Sequence, residues 1–190
     1  LKRHGLLPWG GMLNDRRYAV SESARSADLR ALSAPDRGRF RKIVSWNLLR
    51  RTGAKVDSIV ELVLREQPDL LLMQEATKEI ASIKERLGGD YAWAPLPGRI
   101  HGLAMWSPVA WAAPPIVIKL PSGALVDRVC QILDMGDFGV ANVHLSHGQV
   151  LNRRQLRRIE QSLPARAAVI GDYNLIGPAL LPGFRDAGPR

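Results

Sequence analysis

Lys42-Ile43-Val44-Ser45-Trp46-Asn47 and Asp69-Leu70-Leu71-Leu72-Met73-Gln74-Glu75 bracket a segment in which Val56, Ile59, Val60, Val63 and Leu64 recur at helical spacing. The first run is short and rich in β-branched and aromatic residues, which predicts a strand over 42–46 ending at Asn47. Between the two runs the apolar residues share one helical face, with Asp57 near its start and Glu61, Arg65 and Glu66 facing out. Pro68 disfavours helix at the residue before it and so ends that element. The second run is apolar without alternation over 69–74, the pattern of a strand buried on both faces. Strand, helix and strand within about thirty residues open an α/β unit.

Downstream, the spacing predicts a second helix over Thr77–Leu87, stopped by Gly88-Gly89. Short strands are then expected at Tyr91–Ala94, Leu103–Trp106, Ile116–Leu120, Leu125–Leu133 and Val140–Leu145. Turn signals at Pro97-Gly98, Pro121-Ser122-Gly123 and Gly136-Asp137 separate them, which favours antiparallel pairing. A third helix over Val150–Leu163 leads through Pro164 to a last strand, Ala167–Ile170. This order predicts fold class α/β, or α+β, with two sheets and flanking helices rather than one doubly wound parallel sheet.

Upstream of Arg41 the pattern disappears. Residues 1–40 are rich in Arg, Ser, Ala and Gly and carry no sustained period, so a basic, flexible leader is expected before a domain over 41–190. The chain of 190 residues carries a formal charge of +9, which favours polyanionic partners such as nucleic acid or acidic surfaces. Residues 1–41 hold nine Lys/Arg against four Asp/Glu, so the body itself is only mildly basic. A single cysteine, Cys130, excludes an intrachain disulfide and a Cys-rich metal site, and its strand-like setting reads as a small buried hydrophobe. No run approaches the roughly 18 apolar residues of a membrane span. A cytoplasmic location is expected, with secretion left open by the short apolar stretch Gly5–Leu13 behind Lys2, Arg3 and His4.

Several polar residues stand at predicted strand ends, where a rigid backbone can aim them. Glu75 follows a strongly apolar strand and offers a carboxylate suited to Mg²⁺, which takes oxygen ligands and keeps much of its water. It can equally serve as a first-turn acid of the next helix. Asn47 ends the first strand, where a carboxamide can bind the metal or hold Glu75, or simply form a turn. Gly171-Asp172-Tyr173-Asn174 follows the last strand. There Asp172 can act on a water as general base, and Asn174 can donate to a phosphoryl oxygen. Gly171 would admit a phosphate close to the backbone. His144 ends its strand and can donate to a non-bridging oxygen, or be a structural histidine. His147 and His101 are weaker candidates. Arg153 and Arg154, with Arg157 and Arg158, read as a solvated helix face that can also supply phosphate contacts.

Taken together, Ser45-Trp46-Asn47, Gln74-Glu75, Asn142-Val143-His144-Leu145 and Gly171-Asp172-Tyr173-Asn174 resemble, in order and spacing, the motifs of the endonuclease/exonuclease/phosphatase superfamily. That group includes DNase I, AP endonucleases, sphingomyelinases and inositol polyphosphate 5-phosphatases. The stretch His101-Gly102-Leu103-Ala104-Met105-Trp106-Ser107 is similar to the family's central strand. The resemblance covers about 42–190. It implies a DNase I-like four-layer α/β/β/α sandwich with the site at the sheet ends. It also implies that Asn47 and Glu75 belong to the metal site, that His144 contacts phosphate, and that Asp172 and Asn174 orient water and phosphate. Two departures stand out. The family's late metal-linked Asp and its Ser-Asp-His do not occur, the only acid after Asn174 being Asp186, so the domain reads as incomplete at its C-terminus. Leu48 and Leu49 follow Asn47 where the AP-endonuclease branch favours an acid.

The expected function is therefore that of a hydrolase dependent on Mg²⁺ (or Mn²⁺) and acting on a phosphate ester, most like a nuclease or other phosphodiesterase. His144, Asp172 and Asn174 would be catalytic, Glu75 and Asn47 would hold the metal, and Asn174, His144, Arg153 and Arg154 would bind substrate. Lacking the closing Asp and His, the 190-residue chain is expected to turn over little or not at all. Two alternatives belong to other classes. One is a catalytically incomplete member that binds nucleic acid electrostatically. The other is a sphingomyelinase-like lipid phosphodiesterase, using Trp106 and Trp111 beside Pro108 and Pro114-Pro115 as an apolar loop, although core packing also explains those tryptophans.

Overall fold

The structure is a computed structural model that describes residues 42–50, 53–123, 126–175 and 183–185. The leader expected over 1–40 and the acid Asp186 lie outside the described residues. The first unit forms as the sequence predicts: β1 (Ile43–Asn47), α1 (Val56–Glu66) and β2 (Leu70–Thr77), with β1 and β2 parallel. Helix α1 closes at Gln67, which turns left-handed (φ 46°) and returns its backbone N–H to Val63 one residue before Pro68.

The expected second helix is split into a 3₁₀ turn, Lys78–Ser82, and a single α-turn, α2 (Ile83–Leu87). Ser82 Oγ donates back to the Glu79 carbonyl at 2.9 Å, a local bond that competes with regular helix. Then follow β3 (Asp90–Pro95), β4 (His101–Ser107), β5 (Ile116–Lys119), β6 (Val129–Asp134), β7 (Gly139–His144), α3 (Gln149–Glu160) and β8 (Ala167–Asp172). The strand predicted from Leu125 begins only at Val129, and the third helix ends three residues short of Leu163.

The strands form two four-stranded sheets, ordered β1-β2-β4-β3 and β5-β6-β7-β8. Among the described residues parallel pairing is confined to β1–β2 and β7–β8, and the closely spaced strands pair antiparallel as expected. Both parallel pairs are joined by a helix, α1 and α3, the crossover that parallel neighbours need.

The two-residue period of a strand then builds four layers. On β2, Leu71 and Met73 face α1 and α2 in a core shared with Ile59, Val63 and Ile83. The alternate residues Leu70 and Leu72 face the second sheet and pack with Met105, Leu133 and Val140. On the far side Cys130, Ile132, Ala141 and Val143 pack against Leu156 and Ile159 of α3. Helix, sheet, sheet and helix thus stack with an apolar core between each pair of layers, and Cys130 is the buried hydrophobe expected.

Candidate active site

The face between the two sheets changes character along its length. Ile43 on β1, Leu70 and Leu72 on β2, Val140 on β7 and Ile170 on β8 make one part of it apolar. The residues two further along on the same faces are Ser45, Gln74, Asn142 and Asp172, and beyond Ser45 and Asn142 come Asn47 and His144. Strand alternation alone therefore converts a dry core into a polar cluster at the C-terminal ends of both parallel pairs.

The transition is a buried amide seam. Gln74 donates to Asn142 Oδ1 at 2.8 Å and to Ser45 Oγ at 3.1 Å. Asn142 is fully buried and donates to the Met73 and Ala104 carbonyls at 3.2 and 3.0 Å and to Gln131 Oε1 at 3.3 Å. Gln131 in turn donates to the Ala92 carbonyl. Every link is paired, so the seam fixes the sheets' relative register rather than weakening the core. In sequence Gln74 and Asn142 stand out only as members of the family-like motifs, and Gln131 not at all.

Above the seam sits Asp172, the last residue of β8. Its Oδ2 accepts from Asn47 Nδ2 at 2.8 Å and its Oδ1 from the Asn174 backbone N–H at 3.0 Å. His144, its register partner on β7, places Nε2 3.7 Å from Asp172 Oδ2. His144 is 6 % exposed. Burial and the Arg128 charge hold its imidazole well below the ordinary range, outweighing the pull of Asp172, so it is neutral at pH 7.

Glu75 arrives by a different device. The register of β2 against β4 shifts between Gln74 and Ala76, and Glu75, at φ 57°, is the bulged residue. A bulge turns one side chain out of the alternation, and a left-handed backbone at a non-glycine residue is strained. Glu75 is thus a strand residue and not the helix-capping acid that the alternative reading allowed. Its Oε2 accepts the Arg50 backbone N–H at 3.3 Å, and the Arg50 guanidinium reaches 2.6 Å from His101 Nε2. Buried His101 consequently belongs to the rim of this site, its pKa lowered by burial and then by Arg50.

Asn174 also has a left-handed backbone (φ 49°), and its Nδ2 donates to the Leu145 carbonyl at 2.8 Å, bracing the end of β7. Gly171 answers to a different neighbour than the one expected from sequence. A Cβ there would meet the Val143 carbonyl oxygen at 2.1 Å, so it is the adjacent strand, at φ 143°, that requires glycine. Arg153 and Arg154 are exposed on α3 and, among the described residues, make no hydrogen bond or ion pair with the cluster. Helix α3 meets the site through Asn152 instead, which donates to the Tyr173 and Ser146 carbonyls at 2.6 and 3.2 Å. His147 is exposed.

Trp106 is 2 % exposed, with Nε1 on the Gly88 carbonyl at 2.9 Å, and Trp111 packs on the inter-sheet core. They form no apolar loop for a lipid surface.

One residue that sequence reading passed over is Arg128, just before β6. It is 9 % exposed, and its charge interacts with Asp172 and Glu75 and, repulsively, with Arg50 and Arg99. In sequence it is one of 27 basic residues at the head of a strand, with nothing to mark it as buried.

Among the described residues no three His, Cys, Asp or Glu side chains gather as a metal cage. The donor set nevertheless suits Mg²⁺, which needs few protein ligands. Glu75 brings a partly exposed carboxylate, and Asn47 Oδ1, accepting from the Leu49 N–H at 3.1 Å, keeps a second lone pair.

A profile of the Endonuclease/Exonuclease/phosphatase family matches residues 44–185, a span that holds every residue of the cluster. The chain belongs to this family. Similar solved structures include an endonuclease/exonuclease/phosphatase from Beutenbergia cavernae (16 % identity, TM-score 0.52, covering 70 % of this chain and 47 % of that one). Truncated TDP2 of Caenorhabditis elegans is similar at 21 % identity and TM-score 0.54, covering 70 % and 62 %. The human Nocturnin catalytic domain with bound sulfate is similar at 21 % identity and TM-score 0.52, covering 70 % and 64 %. The matched region thus spans about half to two thirds of these family structures. No curated protein sequence matches the chain. The DNase I-like layered fold expected from the motifs is the fold observed.

Proposed function

We propose that the chain is a phosphoric ester hydrolase that uses a divalent metal, with phosphodiesters, nucleic acid among them, as its substrate class. The single observation that carries this reading is the convergence of Asn47, Glu75, His144 and Asp172 from four strands of two sheets onto one polar end. Structural packing alone gives no reason for two buried or half-buried acids, a neutral histidine and a buried arginine to share it.

In this reading Glu75 and Asn47 would hold Mg²⁺ (or Mn²⁺), which would supply positive charge to offset that of the phosphoryl group. Asp172, with one oxygen on Asn47 and the other on the Asn174 N–H, is fixed in orientation and can take a proton from an attacking water. Neutral His144 keeps one ring N–H to donate to a non-bridging oxygen, where charge builds in the transition state. Arg128 adds a buried cation to the same field.

The test is release of nitrophenol from bis-p-nitrophenyl phosphate with the chain in excess over ester, so that a slow single turnover is visible. Slow release that EDTA stops and Asp172→Asn abolishes supports the reading. Release indifferent to both, or none from diester or monoester, sinks it.

The +9 charge and the exposed arginines of α3 favour a second reading, a nucleic-acid-binding member without turnover. Its binding would weaken steeply with salt and ignore EDTA.

A further inference from the structure

Arg128 also lines a second space. A cavity of about 200 Å³ is bounded by Arg128, Asp127, Lys119, Leu120, Ser122 and Pro97. Its two cations outnumber its one carboxylate, and Ser122 adds a hydroxyl. Arg128 is nine-tenths buried, yet its Nε finds no hydrogen-bond partner. Among the described residues no carboxylate lies within ion-pair distance of it, so Glu75 and Asp172 act on it only through the field. A buried guanidinium N–H without a partner is costly, and the planar fork of five donors fits two oxygens of a phosphate. A structural arginine would have found a carboxylate or a carbonyl, as the amides of the seam below it do.

We infer that this cavity is a second anion subsite, which takes the phosphate neighbouring the one under attack, with Arg128 between the two and Lys119 on the far wall. The inference rests on the hydrolase reading for the identity of the first phosphate, and it narrows the substrate class to molecules carrying two phosphates in sequence. Those phosphates can be the diphosphate of a nucleotide or successive linkages of a strand.

Binding in EDTA separates this claim from metal chemistry and turnover. Calorimetry would compare ADP with AMP, and 5′-phosphorylated thymidine dinucleotide with its unphosphorylated form. The subsite predicts that one pair shows at least about a tenfold gain from the added phosphate, a gain in the first pair meaning a diphosphate and in the second a strand. Lys119 is exposed, so Lys119→Ala leaves the fold intact. It should erase most of the gain while changing affinity for the member with one phosphate less than twofold. Arg128→Lys, which keeps the charge without the fork, should also reduce the gain. No gain in either pair, or a gain that survives both substitutions, overturns the inference. Failure of nitrophenol release with these gains intact would sink the hydrolase reading alone.

Discussion

Asn47 Nδ2 lies 2.8 Å from Asp172 Oδ2, and this bond ties the end of β1 in one sheet to the end of β8 in the other, 125 residues later in the chain. It is the direct link across the mouth of the site, as the Gln74–Asn142 bond is beneath it. Hydrogen bonds to charged groups contribute about 1.5–3 kcal/mol. Asn47→Ala is therefore expected to lower stability in urea by about 2 kcal/mol. Asn47→Asp would set two carboxylates against each other, and like charges this close oppose joint ionisation. Its melting-temperature deficit relative to the wild type should shrink on mild acidification from pH 7 toward 5. A deficit that stays constant or grows over that range would contradict the contact.

The amide seam makes its own prediction. Asn142→Ala strands the Gln74 and Gln131 amides in a dry interface and opens a cavity, for a cost of about 2–4 kcal/mol by denaturant titration. Because the seam acts as a unit, adding Gln74→Leu should cost less than the sum of the two single changes. Simple additivity would mean that the amides do not form a network.

His144 gives the fold a pH dependence in the metal-free protein. Its folded pKa is depressed from the ordinary 6.5 to about 4, chiefly by burial and secondly by Arg128. The unfolded chain therefore takes up a proton first as pH falls. The stability tied to the neutral ring is full above about pH 6.5 and is lost as pH drops from there toward 4. Urea midpoints in EDTA between pH 7.5 and 5 should fall more steeply for the wild type than for His144→Gln. His101, shifted the same way, leaves a residual slope in that variant. Equal slopes would place His144 in water.

The strand ends carrying Asn47, Glu75, His144 and Asp172 are legible because each closes a largely apolar, strand-like run, which places the residue at its end on a sheet edge. Two sheets with flanking helices are legible from the order of the runs, and the layer order from the resemblance of the motifs to the family. What escaped is set by tertiary contact. The bulge that turns Glu75 outward depends on the register of β4, and nothing local in Gln74-Glu75-Ala76 announces it. The order β2-β4-β3 places the later strand inside, which spacing cannot tell from a simple meander. Arg128 and the amides Gln74, Gln131 and Asn142 belong to residue types usually found in water, and only the facing sheet shows them to be buried. Gly171 is legible as a position of close approach, but the Val143 carbonyl that demands glycine there lies on the neighbouring strand.

The central claim is that Glu75 and Asn47, brought to one mouth by two parallel strands, hold a divalent metal beside Asp172. Mn²⁺ binding followed by electron paramagnetic resonance tests this most directly, because it needs no turnover and no substrate. The account predicts one Mn²⁺ per chain, displaced by Mg²⁺, and binding weakened at least about tenfold in Glu75→Gln with circular dichroism unchanged. Mn²⁺ bound equally well by Glu75→Gln, or not bound by the wild type at millimolar concentration, would contradict it.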